Sequence, residues 1–274
     1  MARVVTVVVG LSVIVAACAA APSVPPASAP VRDVITAAVA GLDARCALGE
    51  IRACGELGVR YFRGDGVPRD MNRAEAALVR ACEGGDADGC ADLGELYLEL
   101  RRSDAETARA VALFRAACDQ RSARGCARLG RSMVHGVGMP MDREAGRRLL
   151  EESCKRGNAD GCLNLGSFYM SAESGRTDYA MAFRHFEEAV MYGGGHGTLA
   201  LMYWKGYGVA VDTKRARRLL EQGCVRGEAS ACLNLGIMCQ IGEGGDQDYA
   251  AAVAHFRRAC ELGEQRGCGV GQAE

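Results

Sequence analysis

The sequence predicts an all-α protein, an α-solenoid superhelix of disulfide-stapled helix-turn-helix repeats of about 36 residues. Three observations carry this reading. First, six cysteine pairs, Cys46/Cys54, Cys82/Cys90, Cys118/Cys126, Cys154/Cys162, Cys224/Cys232 and Cys260/Cys268, each enclose seven residues and recur at a step of 36. Second, a large residue and then a small one follow each second cysteine but the last at fixed distance. Third, an apolar stripe opened by an acidic residue precedes each first cysteine after Cys46. A fixed period of this length marks stacked units that bury their apolar faces on their neighbours. The one irregular step, 70 residues from Cys154 to Cys224, equals 36 plus 34 and hides a unit with Val190 and His196 at the paired positions.

In sequence order, residues 1–17 read as a signal peptide: Arg3, an apolar run from Val4 to Val15, and then Val15-Ala16-Ala17 before Cys18. The run is too short to span a bilayer. Small residues directly before a cysteine resemble the lipobox of bacterial lipoproteins, which implies lipidation of Cys18 and attachment to a membrane through that lipid. A plain cleavable signal ending at Ala19 to Ala21 is the alternative. Ala19 is not Asp, and by resemblance to Gram-negative sorting this implies an outer-membrane anchor; the expected face is periplasmic, with the outer face as the alternative. Residues 18–32, with four prolines in APSVPPASAP, form an extended tether. Residues 33–274 are the repeat domain.

The net charge of −1 leaves no electrostatic footprint for nucleic acid. The fourteen cysteines sort into one for lipid, twelve in pairs, and Cys239. Export makes disulfides the expected state of the twelve. Zinc sites use cysteines two to four apart, and no CxxC occurs, so no metal or other cofactor is expected.

Helix A starts near each second cysteine. Three residues on stand Leu57, Leu93, Leu129, Leu165, Leu199 and Leu235, and four on stand Gly58, Gly94, Gly130, Gly166, Ala200 and Gly236. Large beside small, followed by Tyr61, Tyr97, Met133, Tyr169, Tyr203 and Cys239, describes a helix packed closely on another. Gly64, Gly136, Gly206 and Gly242 are placed to end it in the left-handed conformation. Helix B opens at Asp70, Glu106, Asp142, Asp178, Asp212 and Asp248, each expected as an N-cap. Its buried stripe is Ala74, Ala110, Gly146, Ala182, Ala216 and Ala252, then Leu78, Phe114, Leu150, Phe186, Leu220 and Phe256. The array is expected to begin with a lone helix B from Asp33 to Cys46. Each cysteine pair spans the turn from helix B to the next helix A.

Segments such as RACEGGDADGCADLGELY, ESCKRGNADGCLNLGSFY and QGCVRGEASACLNLGIM, with GxGV before the next Asp, resemble Sel-one-like repeats, relatives of the tetratricopeptide repeat. The paired cysteines narrow the likeness to cysteine-rich Hcp-type bacterial proteins, over residues 33 to 268. The resemblance implies protein or peptide binding. It also implies an alternative, since some Hcp-type proteins are described as penicillin-binding with weak β-lactamase activity.

The residues themselves offer no catalytic set. No SxxK, GxSxG, HxH or HExxH occurs, and His185 and His255 stand directly before core phenylalanines. What remains is a groove lined by helix A. Two residues after the second cysteine come Glu56, Asp92, Arg128, Asn164, Thr198 and Asn234; six after come Arg60, Leu96, Ser132, Phe168, Met202 and Met238. Asn164, Phe168, Met202, Asn234 and Met238 are therefore the candidate peptide groove, amides for a peptide backbone and adaptable apolar groups for its side chains. Packing between helices is the competing reading for the apolar three, and Trp204 is placed equally between anchor and core. Cys239, standing where other units carry Tyr, is expected to be a buried thiol. The expected function is a bacterial envelope lipoprotein acting as a non-catalytic scaffold.

Overall fold

A computed structural model describes residues 29–100, 103–171 and 177–269. Cys18 and the expected signal lie outside them. The described residues form thirteen α-helices: α1 (Ala29–Ala47), α2 (Ile51–Arg63), α3 (Met71–Glu83), α4 (Ala87–Leu100), α5 (Asp104–Asp119), α6 (Ala123–His135), α7 (Arg143–Lys155), α8 (Ala159–Met170), α9 (Tyr179–Met191), α10 (His196–Lys205), α11 (Thr213–Val225), α12 (Ala229–Ile241) and α13 (Tyr249–Glu261). A 3-10 turn at Gln265–Gly267 follows. Even-numbered helices from α2 to α12 are the A helices and the odd-numbered ones are B. The first B helix, α1, opens at Ala29, before the expected start at Asp33 and inside the stretch read as tether.

Each A helix packs on the B helix that follows it, and successive A helices also touch: α2 with α4, α4 with α6, α6 with α8, and α10 with α12. The closer spacing of the A helices puts them on the inner side of the superhelix. Between α8 and α10 this contact nearly lapses.

The core lies between the two layers. Leu78, Phe114, Leu150, Phe186, Leu220 and Phe256 are all buried, as are the small residues one turn before them. The small position on helix A exists to receive them: a Cβ on Gly94 would stand 2.6 Å from the Phe114 ring, and one on Gly166 would stand 2.6 Å from Phe186. The pairing of glycine with a bulky B residue thus sets how closely the layers approach.

Local signals end the helices. Asp70, Asp142, Asp178, Asp212 and Asp248 cap their B helices through side-chain bonds to backbone N–H groups. Glu106 does not cap. Ser103 takes that role, accepting from the Glu106 N–H at 3.1 Å, so α5 starts almost a turn earlier than expected and Glu106 sits in its first turn. The S-x-x-E spacing Ser103 to Glu106 is the local reason, because a serine hydroxyl three residues upstream satisfies that amide first. Gly64, Gly136, Gly206 and Gly242 close their A helices with φ of 79°, 67°, 73° and 73°. In the B-to-A turns the left-handed residue is a glycine such as Gly85, Gly157, Gly227 or Gly263, but Arg121 in the third turn, at φ 63°.

Six disulfides staple these turns: Cys46–Cys54, Cys82–Cys90, Cys118–Cys126, Cys154–Cys162, Cys224–Cys232 and Cys260–Cys268. A bridge closing so short a loop contributes about 2.5 kcal/mol on the loop-entropy estimate. In the turn that has none, Gly195 with φ 82° leads directly into α10.

Candidate functional site

The inner face of the A helices carries the candidate site, and helix geometry decides which residues reach it. At ~100° per residue, positions two, five and nine after the second cysteine share a stripe about 60° wide, opposite the buried leucine. Position six turns toward the core. Phe168 is 6 % exposed and Met202 and Met238 are 0 % exposed, so these three expected groove residues are core residues. Their apolar side chains fill the space between adjacent helices, where burial outweighs any gain from solvent contact. Position five is the accessible row, with Glu95, Arg131, Leu201 and Ile237 half-buried and Ser167 exposed. The signal for it was legible as i, i+3, i+7 spacing from position two.

Position two divides in the middle of the array. Asp92 and Arg128 are buried, while Asn164, Thr198 and Asn234 are half-buried. Asn164 donates to the Asp160 carbonyl at 2.7 Å, one turn back on α8. The Asn234 amide, on α12, makes no hydrogen bond among the described residues. These amides stand on separate helices with Thr198 on the helix between them.

The buried pair belongs to a charge ladder linking three A helices. Arg124 meets Asp92 at 2.5 Å, and Arg128 meets Glu95 at 2.5 Å and Asp160 at 3.3 Å. Ser122 adds a bond to Asp88 at 2.5 Å. Burial pushes the Asp92 carboxyl up to about 6, with Arg124 pulling the other way. Desolvation wins because the carboxylate is almost wholly cut off from water while Arg124 remains partly hydrated.

Six stretches of the sequence, residues 51–86, 87–122, 123–158, 159–193, 197–227 and 229–264, match the profile of the Sel1 repeat. The chain belongs to the Sel1 repeat family. Among solved structures it is similar to a protective antigen present in uropathogenic Escherichia coli strains displaying an SLR fold, at 25 % identity and a TM-score of 0.53, covering 84 % of this chain and 50 % of that one. It therefore spans half the length of that relative. A Sel1 repeat protein from Oxalobacter formigenes aligns at 17 % identity and a TM-score of 0.55, over 78 % of this chain and 84 % of that one. One from Klebsiella pneumoniae subsp. pneumoniae aligns at 20 % and 0.50, over 84 % and 95 %. No curated protein matches the sequence.

Within this Sel1 array the histidines have structural partners. His185 lies 2.8 Å from Glu188 and stacks on Tyr169. Cys154 completes a cluster with these two, but its sulfur is bonded to Cys162 and offers no thiolate to a metal. In the Sel1 unit that lacks a disulfide, His196 is buried and its Nδ1 lies 2.7 Å from Glu228. His255 is buried, and desolvation, reinforced by Arg217, lowers its pKa. Cys239 is buried as expected and accepts from the Arg217 guanidinium at 3.1 Å. Trp204 packs against the core with its N–H on Glu243. An open depression of about 450 Å3 lies at the α10–α11 loop, lined by Tyr203 and residues 209–214; its carboxylate, Asp212, is occupied in capping α11.

Proposed function

We propose that this Sel1 repeat protein is a bacterial envelope lipoprotein that binds a protein or peptide along the inner face of α8 to α12 and performs no chemistry. The observation that carries this is the row of half-buried Asn164, Thr198 and Asn234 on successive A helices, with the Asn234 amide unsatisfied from within. A side-chain amide in that state donates to and accepts from an extended backbone at once. The tether preceding α1 and acylated Cys18 hold the array at the outer membrane, facing the periplasm. Export fits the Escherichia coli relative, which is a protective antigen. No helix among the described residues is long and apolar enough to cross a membrane.

The β-lactam alternative gains no specific support. Among the described residues, His185 and His196 each face a carboxylate, and neither they nor His255 meets a serine hydroxyl.

The test is site-specific photo-crosslinking in intact cells. A photoreactive residue at Ser167 or Ile237, on the accessible stripe, should yield discrete adducts, and one at exposed Arg148 on the B layer should not. Equal labelling from both layers would refute the groove. Acyl chains on the native protein, lost in Cys18→Ser, would support the anchor; an unacylated native mass would reject it.

A further inference from the structure

Arg131 is the one cation of the α6 ladder without a partner of its own. It stands beside Arg128, with Glu95 and Asp160 near enough to act on it, yet it makes no ion pair or hydrogen bond among the described residues. Both of those carboxylates are held by Arg128 instead. The Nε of Arg128, in a residue 8 % exposed, is also buried without an acceptor.

Arg131 also lines a cavity of about 20 Å3 between α6 and α8, together with Val134, His135, Leu150, Asn164, Ser167 and Phe168. Its apolar lining, Val134, Leu150 and Phe168, is buried, and the lining residues His135 and Ser167 are exposed. The volume suits one oxygen of a small anion, and the apolar lining limits water around it. A half-buried guanidinium gains most from an anionic oxygen, because a charge-assisted N–H bond is about twice as strong as a neutral one. Burial and the charge of Arg128 both lower the Arg131 pKa, the condition a bound anion would relieve.

Resting on the groove reading, we propose that Arg131, Ser167 and the second amide hydrogen of Asn164 form a carboxylate subsite, so that the partner presents an acidic group to α6–α8. The carboxylate comes from an Asp or Glu residue or from the C-terminus of a peptide. Phosphate is disfavoured by the cavity's size.

The test uses the purified protein and three fluorescent pentapeptides, titrated at low salt and followed by anisotropy and by the arginine Nε–H NMR signals. One is neutral with a free C-terminus, one is C-amidated with a central Glu, and one is C-amidated and neutral. One or both acidic peptides should shift the signal that Arg131→Gln deletes, and which of them does identifies the source. Arg131→Gln should weaken that peptide about tenfold or more, the loss of a charged hydrogen bond, and Arg131→Lys should restore part of it. No binding of either acid, equal binding of the neutral amide, or unchanged affinity in Arg131→Gln would overturn the subsite. Crosslinking at Ile237 in cells, outside this subsite, reports on the groove separately, so failure here leaves that result standing.

Discussion

Glu228 caps the helix that begins at His196, thirty-two residues earlier in the sequence. Its carboxylate accepts from the backbone N–H of His196 at 3.3 Å and of Gly197 at 3.0 Å, and it lies 2.7 Å from His196 Nδ1. This happens in the unit whose cysteines are replaced, so a polar tie to the next turn stands where the other units have a covalent one. Glu228→Ala should cost about 1–2 kcal/mol, the loss of a cap and its charged bonds. The unit Tyr179–Lys205, lacking a staple, should already exchange its amides faster than the stapled units, and the variant should widen that gap. Protection of α10 unchanged by the substitution would refute the cap, and slower exchange there than in α8 would refute the weak link.

The approach of Gly94 to Phe114 predicts an inverted glycine effect. In an open helix, Gly→Ala stabilises by about 1 kcal/mol. At Gly94 the new methyl would lie 2.6 Å from the Phe114 ring and 3.0 Å from the Ala110 carbonyl, so the layers must separate. Gly94→Ala should destabilise by about 1–3 kcal/mol, with partial recovery in Gly94→Ala/Phe114→Leu. Denaturant titration checks it; a stabilised single variant would sink the packing argument.

Asp92 predicts a pH dependence with a definite sign. Its folded pKa of about 6 lies above the ordinary carboxylate value of 3.8. Between those values the folded state holds more protons than the unfolded one, so this residue's contribution falls as pH rises through that window. The loss is up to about 3 kcal/mol by pH 7. Asp92→Asn should flatten that part of the stability curve. An identical slope in the variant, or a carboxyl carbon signal titrating near pH 4, would contradict it.

Asn234 and Phe168 should behave as opposites. Asn164→Ala/Asn234→Ala should weaken an identified partner by about 1 kcal/mol or more per amide and leave the melting temperature near that of the wild type. Phe168→Ala should cost about 3–5 kcal/mol of stability, because its ring is 6 % exposed. Unchanged affinity in the double variant would remove the amides from the site, and a fully stable Phe168→Ala would return that ring to the surface.

The repeat length, the two helices of each unit, the buried stripes, the six staples and the hidden fifth unit were all legible in the sequence, because each is a periodic consequence of one helix packing on its neighbour. Local chemistry was legible where it is local: five aspartate caps were read correctly, and Glu106 was misassigned because Ser103 caps the helix three residues upstream and leaves Glu106 inside its first turn. What the period could not supply is the direction in which each side chain points. Phe168, Met202 and Met238 share a helix with the groove, but whether position six faces solvent or core depends on how closely α6, α8, α10 and α12 approach one another. The same dependence hid Arg131, whose isolation arises only because Glu95 from α4 and Asp160 from α8 both turn to Arg128. Contacts between residues some thirty positions apart are set by the curvature of the stack, and that curvature exists only once the helices are packed.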